Sequence, residues 1–308
     1  MSRCKAMDWG KYEKLIRDGF GRGTFENYRP WLHIRRGNSS PVSNQVTGAA
    51  LPGQDRLCTF LSRTEWLIAL LCYWIGALDC REQFPCWPHA HPHPLTELPL
   101  AKDMDLPESR GLWEIAKSAG IEHGTYVGST VPCPVTTDLL ITLPGKDRPR
   151  LAALPVKAYS MIRDAEPSDR MLARLELERL YHEELNNYCK KVVTEKIVTE
   201  VLGGQLVEFS AAARLPKALD YPMLIVEFAG RINELAYTNP ICDSVRKVGN
   251  DMRISFYDAT RLFNHSVWKR LLDIDLSVPV VRSYPAKKGG YKLAEVLRKE
   301  MFGEFSEN

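Results

Sequence analysis

The sequence lacks the features that would place the chain in a membrane or outside the cell. No apolar run approaches the roughly 18 residues that a spanning helix needs, and the first residues carry no apolar signal segment. The cysteines show no paired spacing that would indicate disulfides or a zinc site; they are Cys4, Cys58, Cys72, Cys80, Cys86, Cys133, Cys189 and Cys242. We therefore expect a cytoplasmic protein with reduced thiols and no membrane partner.

Several enzyme classes are excluded because their motifs are missing. The chain contains no serine nucleophile elbow, no phosphate loop and no dinucleotide fingerprint. The cluster of Cys80, Cys86, His89, His91 and His93 matches no zinc-ligand spacing, and its prolines favour an extended, exposed strip. We expect these histidines to face solvent, with zinc as the less favoured alternative.

Charge is nearly balanced overall but unevenly placed. The 308 residues carry a net charge of +3, whereas the segments from Arg3 to Arg36 and from Asp243 to Glu300 are basic and the middle is acidic. Basic ends suit nucleic-acid binding, and an acidic centre suits cation binding. The alternative is that both ends are simply solvated faces.

Hydrophobic periodicity divides residues 1–204 into helices and strands. Ser62 followed by Glu65 predicts the start of a buried helix, because its body from Trp66 to Leu78 carries no charge. Residues 85–130 are rich in proline and histidine and indicate an excursion from the core. The other predicted elements are a helix at Tyr12–Ile16, an anchor at Tyr28–Trp31, strands at Leu78–Phe84 and Cys189–Val201, and a helix at Ser168–Asn187.

The remaining residues predict a second, mostly helical domain. Gly203-Gly204 indicates a junction, so we expect domains at 1–204 and 205–308. Helices at Leu224–Tyr237 and Asp243–Val248 precede a predicted helix-turn-helix of residues 257–263 and 266–272, and strands at 277–283 and 291–293 would flank a basic tip. This order is typical of a winged helix. Exposed aromatics are expected at Phe263, Trp268, Phe302 and Phe305, and contacts to DNA or an acidic protein at Arg261, Lys269, Arg270, Lys287 and Lys288.

A predicted hairpin carries the first candidate site. Apolar runs from Asp138 to Leu143 and from Leu151 to Val156 flank a turn, which would place Asp138 opposite Lys157 at the open end. A carboxylate beside a lysine at the end of apolar strands can hold a metal ion and a water. The alternative is a plain cross-strand ion pair.

Two glutamates extend this candidate site. Glu65 is the one charge on its buried helix, which favours a metal partner, although a capping box with Ser62 explains it equally well. Glu178 lies on the helix after the hairpin and is a secondary candidate, whereas Glu176 fits a solvated face.

Five strings in this order resemble the TnsA transposon-end endonucleases: Leu61-Ser62-x-x-Glu65, Leu78 to Pro85, Thr137-Asp138, Pro155-Val156-Lys157, and Leu175 to Arg179. The resemblance implies an α/β fold with a restriction-endonuclease-like core, in which helices flank a mixed β-sheet, and a C-terminal winged helix. It implies that Glu65 and Asp138 bind metal with the Val156 carbonyl, and that Lys157 is catalytic.

The resemblance also implies an activity and partners. One or two Mg²⁺ ions, replaceable by Mn²⁺, would support cutting of the 5′, non-transferred strand of transposon-end DNA. The partners would be a TnsB-type DD-E transposase and a TnsC-type AAA+ regulator, in a bacterial cytoplasm at the nucleoid.

Pro155 departs from that pattern, because nucleases of this kind generally hold a metal-binding Glu, Asp or Gln there. Two other functions therefore stay open: a stand-alone restriction or repair nuclease, and a non-enzymatic adaptor between DNA and an ATPase.

Overall fold

The computed structural model describes residues 7–32, 45–52, 54–163 and 168–303. Within these ranges the strands are β1 (Val46–Ala50), β2 (Leu57–Phe60), β3 (Asp79–Cys86), β4 (Val135–Leu143), β5 (Arg150–Leu154) and β6 (Tyr188–Cys189). The α-helices are α1 (Trp9–Arg17), α2 (Arg63–Trp74), α3 (Leu112–Ala119), α4 (Tyr159–Arg163), α5 (Asp169–Glu184), α6 (Glu200–Ser210), α7 (Pro222–Leu235), α8 (Ile241–Asp251), α9 (Phe256–Trp268) and α10 (Gly290–Phe302). Phe305, predicted as an exposed aromatic, lies outside the described residues.

A mixed four-stranded sheet forms the centre of the molecule. Its strand order is β3-β4-β5-β6, in which the first three strands pair antiparallel and β6 pairs parallel to β5. β1 and β2 form a separate antiparallel pair. The predicted hairpin is therefore confirmed as β4 and β5, and the mixed α/β architecture with flanking helices is compatible with a restriction-endonuclease-like fold.

The core forms around β3 and α2, which are buried on nearly every side. Every residue of β3 is buried, and α2 buries Ile68, Leu71 and Trp74. One large hydrophobic cluster joins the central strands and α2 to all the helices from α6 to α10. The buried helix predicted from Ser62 is thus confirmed, with Ser62 as its N-cap.

Two predictions around residue 200 are wrong. The expected strand at Cys189–Val201 is only the two-residue β6, followed by irregular backbone and the start of α6 at Glu200. Gly203 and Gly204 lie inside α6 and form no linker. A Cβ on Gly203 would approach Leu67 of α2 to 3.1 Å, so the glycine lets the two helices pack closely. The division into domains 1–204 and 205–308 stays a prediction.

The C-terminal half differs from the predicted winged helix. The expected helix-turn-helix is one continuous helix, α9, and residues 291–293 belong to α10 rather than to a strand. Between α9 and α10, the only β-pairing among the described residues is an isolated bridge between Ile274 and Lys288, in place of the two expected strands. Phe263, Trp268 and Phe302 are buried rather than exposed, because they pack in the main core.

Residues 85–130 are only partly an excursion, because the first part of the segment and α3 pack on the core while residues 117–130 are mostly exposed. Leu95 and Leu98 pack against the sheet beside Phe84, and Leu112 packs against α5. Two of the three histidines differ from expectation, since His93 is buried and His91 lies 2.6 Å from the Tyr181 hydroxyl, whereas His89 is exposed as expected. In the described ranges no group of three or more His, Cys, Asp or Glu side chains is arranged to hold a metal, so the zinc alternative gains no support.

Among the described residues, no helix is both long and apolar enough to cross a lipid bilayer.

Candidate functional site

Asp138 and Lys157 meet at the open end of the β4–β5 hairpin. Leu139 pairs with Leu154, so Asp138 lies across from Pro155 and Lys157 follows two residues later. The Lys157 ammonium lies 2.6 Å from Asp138 Oδ2 and 2.9 Å from the Val156 carbonyl oxygen. The Val156 N–H also donates to Asp138 Oδ2, at 2.8 Å. The structure thus brings together the Asp138 carboxylate, the Lys157 ammonium and the Val156 carbonyl, the three groups predicted for the site.

Pro155 fits this hairpin end because no hydrogen bond is required from its nitrogen. Its carbonyl accepts from the Val193 N–H at 2.8 Å, and the Lys157 N–H donates to the Val193 carbonyl at 3.0 Å. These bonds hold Val156 and Lys157 in line with the sheet although β5 itself ends at Leu154. The buried proline ring therefore shapes the site, but it offers no side-chain ligand.

Glu65 reaches the site from the first turn of α2. Its backbone N–H donates to Ser62 Oγ at 3.1 Å, and its carboxylate accepts from the Leu61 N–H at 3.0 Å. The predicted capping role is therefore real. Burial, followed by repulsion from the Asp138 carboxylate, raises the pKa of Glu65 to about 8. Glu65 thus caps its helix, and its carboxyl group also interacts electrostatically with Asp138.

Gln83 is a site residue that the sequence analysis missed. It lies in β3 at the register position across from Asp138, and its φ of 50° is in the left-handed region that non-glycine residues rarely adopt. Its side-chain amide donates to Glu65 Oε2 at 3.3 Å and accepts from the Thr136 hydroxyl at 3.2 Å. Strained backbone of this kind concentrates at functional sites. In this site, the neutral Gln83 side chain lies within hydrogen-bonding distance of Glu65.

Glu178, the secondary candidate, lies near enough to Asp138 and Lys157 to interact with both electrostatically. It projects from α5, is buried, and its Oε1 has no hydrogen-bond partner among the described residues. Burial, and then repulsion from Asp138, raises the pKa of Glu178 to about 8, while Lys157 acts in the opposite direction. Thr137 contacts this carboxyl group, but a buried carboxylate oxygen without a partner is costly unless a proton or a cation offsets it.

A buried polar chain supports the site from behind the sheet. The hydroxyl of Thr137, next to Asp138, lies 2.7 Å from His182 Nε2. Asn187 lies between the two histidines, 3.5 Å from His182 Nδ1 and 3.1 Å from His93 Nε2. Burial lowers the pKa of His182 to about 3, so the imidazole is neutral. No sequence spacing reveals this chain, because its members lie on four separate segments.

The pocket holds three carboxyl groups, those of Glu65, Asp138 and Glu178, beside the Lys157 ammonium. Burial, and then repulsion from Asp138, raises the pKa of both glutamates to about 8, so that both are largely protonated near neutral pH. Carboxylate and carbonyl oxygens are the ligands that Mg²⁺ prefers. The donor types therefore suit Mg²⁺, but among the described residues these carboxylates are not arranged as a metal-holding group, and the Lys157 ammonium contacts the Asp138 and Val156 oxygens instead.

The basic residues predicted to meet DNA or a partner lie away from this pocket. Two of them cover aromatic rings: Arg261 lies 4.6 Å from the centre of the Tyr257 ring, and Lys288 lies 4.8 Å from that of Tyr237. Lys269 and Lys287 are exposed, whereas Arg270 is half-buried. Their role stays a prediction.

Comparison with known proteins finds a relative for the region that contains these residues. The chain is 30% identical over 170 residues to the transposon Tn7 transposition protein TnsA of Escherichia coli, covering 54% of this chain and 50% of that protein. The chain thus spans about half the length of the curated relative that it matches. No family model matches the sequence. The finding is a distant similarity to a transposition protein, in agreement with the resemblance drawn from the motifs.

Proposed function

We propose that the protein is the Mg²⁺-dependent endonuclease subunit of a heteromeric transposase, and that it cuts the 5′, non-transferred strand at transposon ends. The observation that carries the proposal is the contact of Lys157 with Asp138 and the Val156 carbonyl at the hairpin end, with Glu65 and Glu178 near enough to interact electrostatically with both charges. The distant similarity to the transposition protein TnsA supports the same function.

The residues that would hold the metal are Glu65, Asp138 and the Val156 carbonyl, with Glu178 as a further oxygen donor. One or two Mg²⁺ ions suit this set, and Mn²⁺ should replace them because it accepts the same hard oxygen ligands. When bound, the metal supplies charge stabilisation at the scissile phosphate and lowers the pKa of a bound water.

The protein side chains supply positioning and the remaining charge. Lys157 is placed to offset negative charge on the phosphate once its ammonium leaves Asp138, and to orient the attacking water. Gln83 fixes the rotamer of Glu65, and the Val156 N–H fixes that of Asp138. Because Pro155 offers no ligand, the metal would depend on Glu65 and Asp138 more heavily than in nucleases with a polar residue there.

The partners follow from the proposed function. A TnsB-type DD-E transposase would cut the 3′ ends of the same transposon DNA, and a TnsC-type AAA+ regulator would bind the C-terminal helices. Exposed groups there, among them Tyr257, Lys287 and Lys288, favour such a contact. Assembly would take place in the bacterial cytoplasm, on the nucleoid.

The test is a strand-resolved cleavage assay on transposon-end DNA with purified partner subunits and Mg²⁺ or Mn²⁺. We expect 5′-strand nicks that need the divalent ion and fall by about 10²-fold or more in Asp138→Asn, because a charge at the reaction centre is lost. Asp147→Asn is the matched control, since Asp147 is an exposed aspartate in the turn of the same hairpin. Equal loss in both variants, or full cutting by Asp138→Asn, would refute the site.

Pro155 favours a second candidate function, a non-enzymatic adaptor that bridges DNA to an ATPase. In that case no condition should give nicks that depend on Asp138. Efficient cutting without partner subunits would instead indicate a stand-alone restriction or repair nuclease.

A further inference from the structure

We infer that a second anion site, remote from the catalytic pocket, binds a backbone phosphate of DNA. The site is a cleft of about 350 Å³ at the C-terminal end of α2, here called the α2-end cleft. Trp74, Gly76 and Ala77 line one wall, and Arg214, Lys269 and Arg270 line the other.

Two guanidinium groups converge beside Gly76: that of Arg270, which lines the α2-end cleft, and that of Arg298, which lies next to the cleft. Gly76 has a φ of 105°, and a Cβ placed on it would lie 3.1 Å from Arg298 Nη1 and 3.6 Å from Arg270 Nη2. A side chain at residue 76 would therefore crowd both arginines. The glycine opens the space in which the two positive charges meet.

The charge of this arginine pair is not neutralised within the described part of the chain. Arg298 donates to the Ile75 carbonyl at 3.1 Å, and neither Arg270 nor Arg298 forms an ion pair with a described carboxylate. Burial, and then the Arg298 charge, lowers the pKa of Arg270. Like charges held together in a half-buried place are unfavourable, so a bound anion would stabilise the arrangement.

Phosphate fits the α2-end cleft better than an isolated carboxylate does. The guanidinium fork matches phosphate oxygens, and Arg214 and Lys269 add two cations at the rim, so that the cleft can accept consecutive charges along a backbone. Arg214 already pairs with Asp55, but both groups are more than half exposed and the pair is weak.

The identity of the anion as DNA rests on the proposed function. Glu65 and Ile75 are ten residues apart on α2, a distance of about 15 Å, which is the rise of roughly four to five base pairs. A duplex is long enough to reach both places. The α2-end cleft would therefore contribute affinity without taking part in the chemistry.

The first experiment measures binding of a short labelled duplex by fluorescence anisotropy, with the full chain and without divalent ions. We expect Arg270→Gln to bind about tenfold more weakly, and the slope of log affinity against log salt to shrink by about one, as for one lost phosphate contact. Lys117→Gln is the control, since Lys117 is an exposed lysine on α3, outside the cleft. Unchanged affinity and slope in Arg270→Gln would overturn the inference.

The second experiment excludes misfolding and separates the possible ligands. Arg270→Gln should melt no lower than the wild type in chloride, because it removes a like-charge contact. Inorganic phosphate at matched ionic strength should raise the wild-type melting temperature more than that of the variant. Stabilisation by a polyglutamate peptide, but not by phosphate or duplex, would overturn the assignment in favour of an acidic protein. Because no cleavage is measured, failure of the proposed nuclease activity leaves these results unaffected.

Discussion

Replacement of Glu65 by glutamine should leave the stability of the folded protein almost unchanged at low pH and increase it at high pH. In the folded protein, burial and the Asp138 charge raise the pKa of Glu65 to about 8, whereas the unfolded value is near 4.5. The folded state therefore keeps a proton that the unfolded chain loses between these values. The free energy of unfolding should fall as pH rises through this interval and level off above about pH 8.

The size of the effect follows from the same two pKa values. A difference of one in pKa between the folded and unfolded protein corresponds to about 1.4 kcal/mol of stability, so the wild type should lose a few kcal/mol between about pH 5 and pH 9 through Glu65. Glutamine cannot ionise and avoids this loss. It can still accept from the Leu61 N–H, so near pH 5 the variant should differ from the wild type by no more than about 1 kcal/mol. Near pH 9 it should be the more stable protein.

Urea unfolding at both pH values, in the presence of a chelator, measures this difference. Glu200→Gln is the matched control, because Glu200 is an exposed acid in the first turn of α6. Cleavage by Glu65→Gln should be lost at every pH if Glu65 also holds the metal. An equal change in stability at the low and the high pH would show that Glu65 is only a cap and would refute its coupling to Asp138.

Three further predictions concern neighbouring elements. Gln83→Gly and Gln83→Ala remove the same buried hydrogen bonds and should both slow strand cleavage, but only glycine relieves the left-handed backbone, so Gln83→Gly should be about 1 kcal/mol more stable than Gln83→Ala in urea unfolding. Equal stability of the two variants would contradict the strain. Lys157→Met should lower cleavage by about 10²-fold and should also lower the melting temperature, because it leaves the buried Asp138 carboxylate without its cation; unchanged cutting would exclude its proposed role. Gly204→Ala, with open space around its Cβ, should add about 0.5–1 kcal/mol, whereas Gly203→Ala should gain less or destabilise because its Cβ meets Leu67. Equal melting shifts in the two alanine variants would contradict the close packing of α6 on α2.

The sequence predicted elements whose causes are local. The start of α2 is specified by Ser62 and Glu65 within one turn, and the β4–β5 hairpin by apolar runs on either side of a short turn. The candidate site residues followed because they end these elements. Local chemistry of this kind is visible without knowledge of the rest of the fold.

Elements decided by tertiary contacts were predicted wrongly or missed. Asn264 was placed at a turn between two helices, but it lies within α9, where its side chain accepts from Arg282 at 2.7 Å. Gly203 indicated a linker because nothing in the sequence shows that Leu67 packs against it. Gln83 has a left-handed backbone, and its side chain contacts Glu65 and Thr136 from other elements, so no pattern in β3 alone could predict its place in the site.

The shared core has a consequence for how the chain unfolds and responds to partners. Since α6 continues across residue 204 and packs on α2, the strands of the candidate site and the C-terminal helices should melt in one cooperative transition. A ligand bound to the C-terminal helices then stabilises the whole folded state by mass action, including the distant hairpin end. Binding at the C-terminal helices and the fraction of chains in which the hairpin end is unfolded are thus thermodynamically linked.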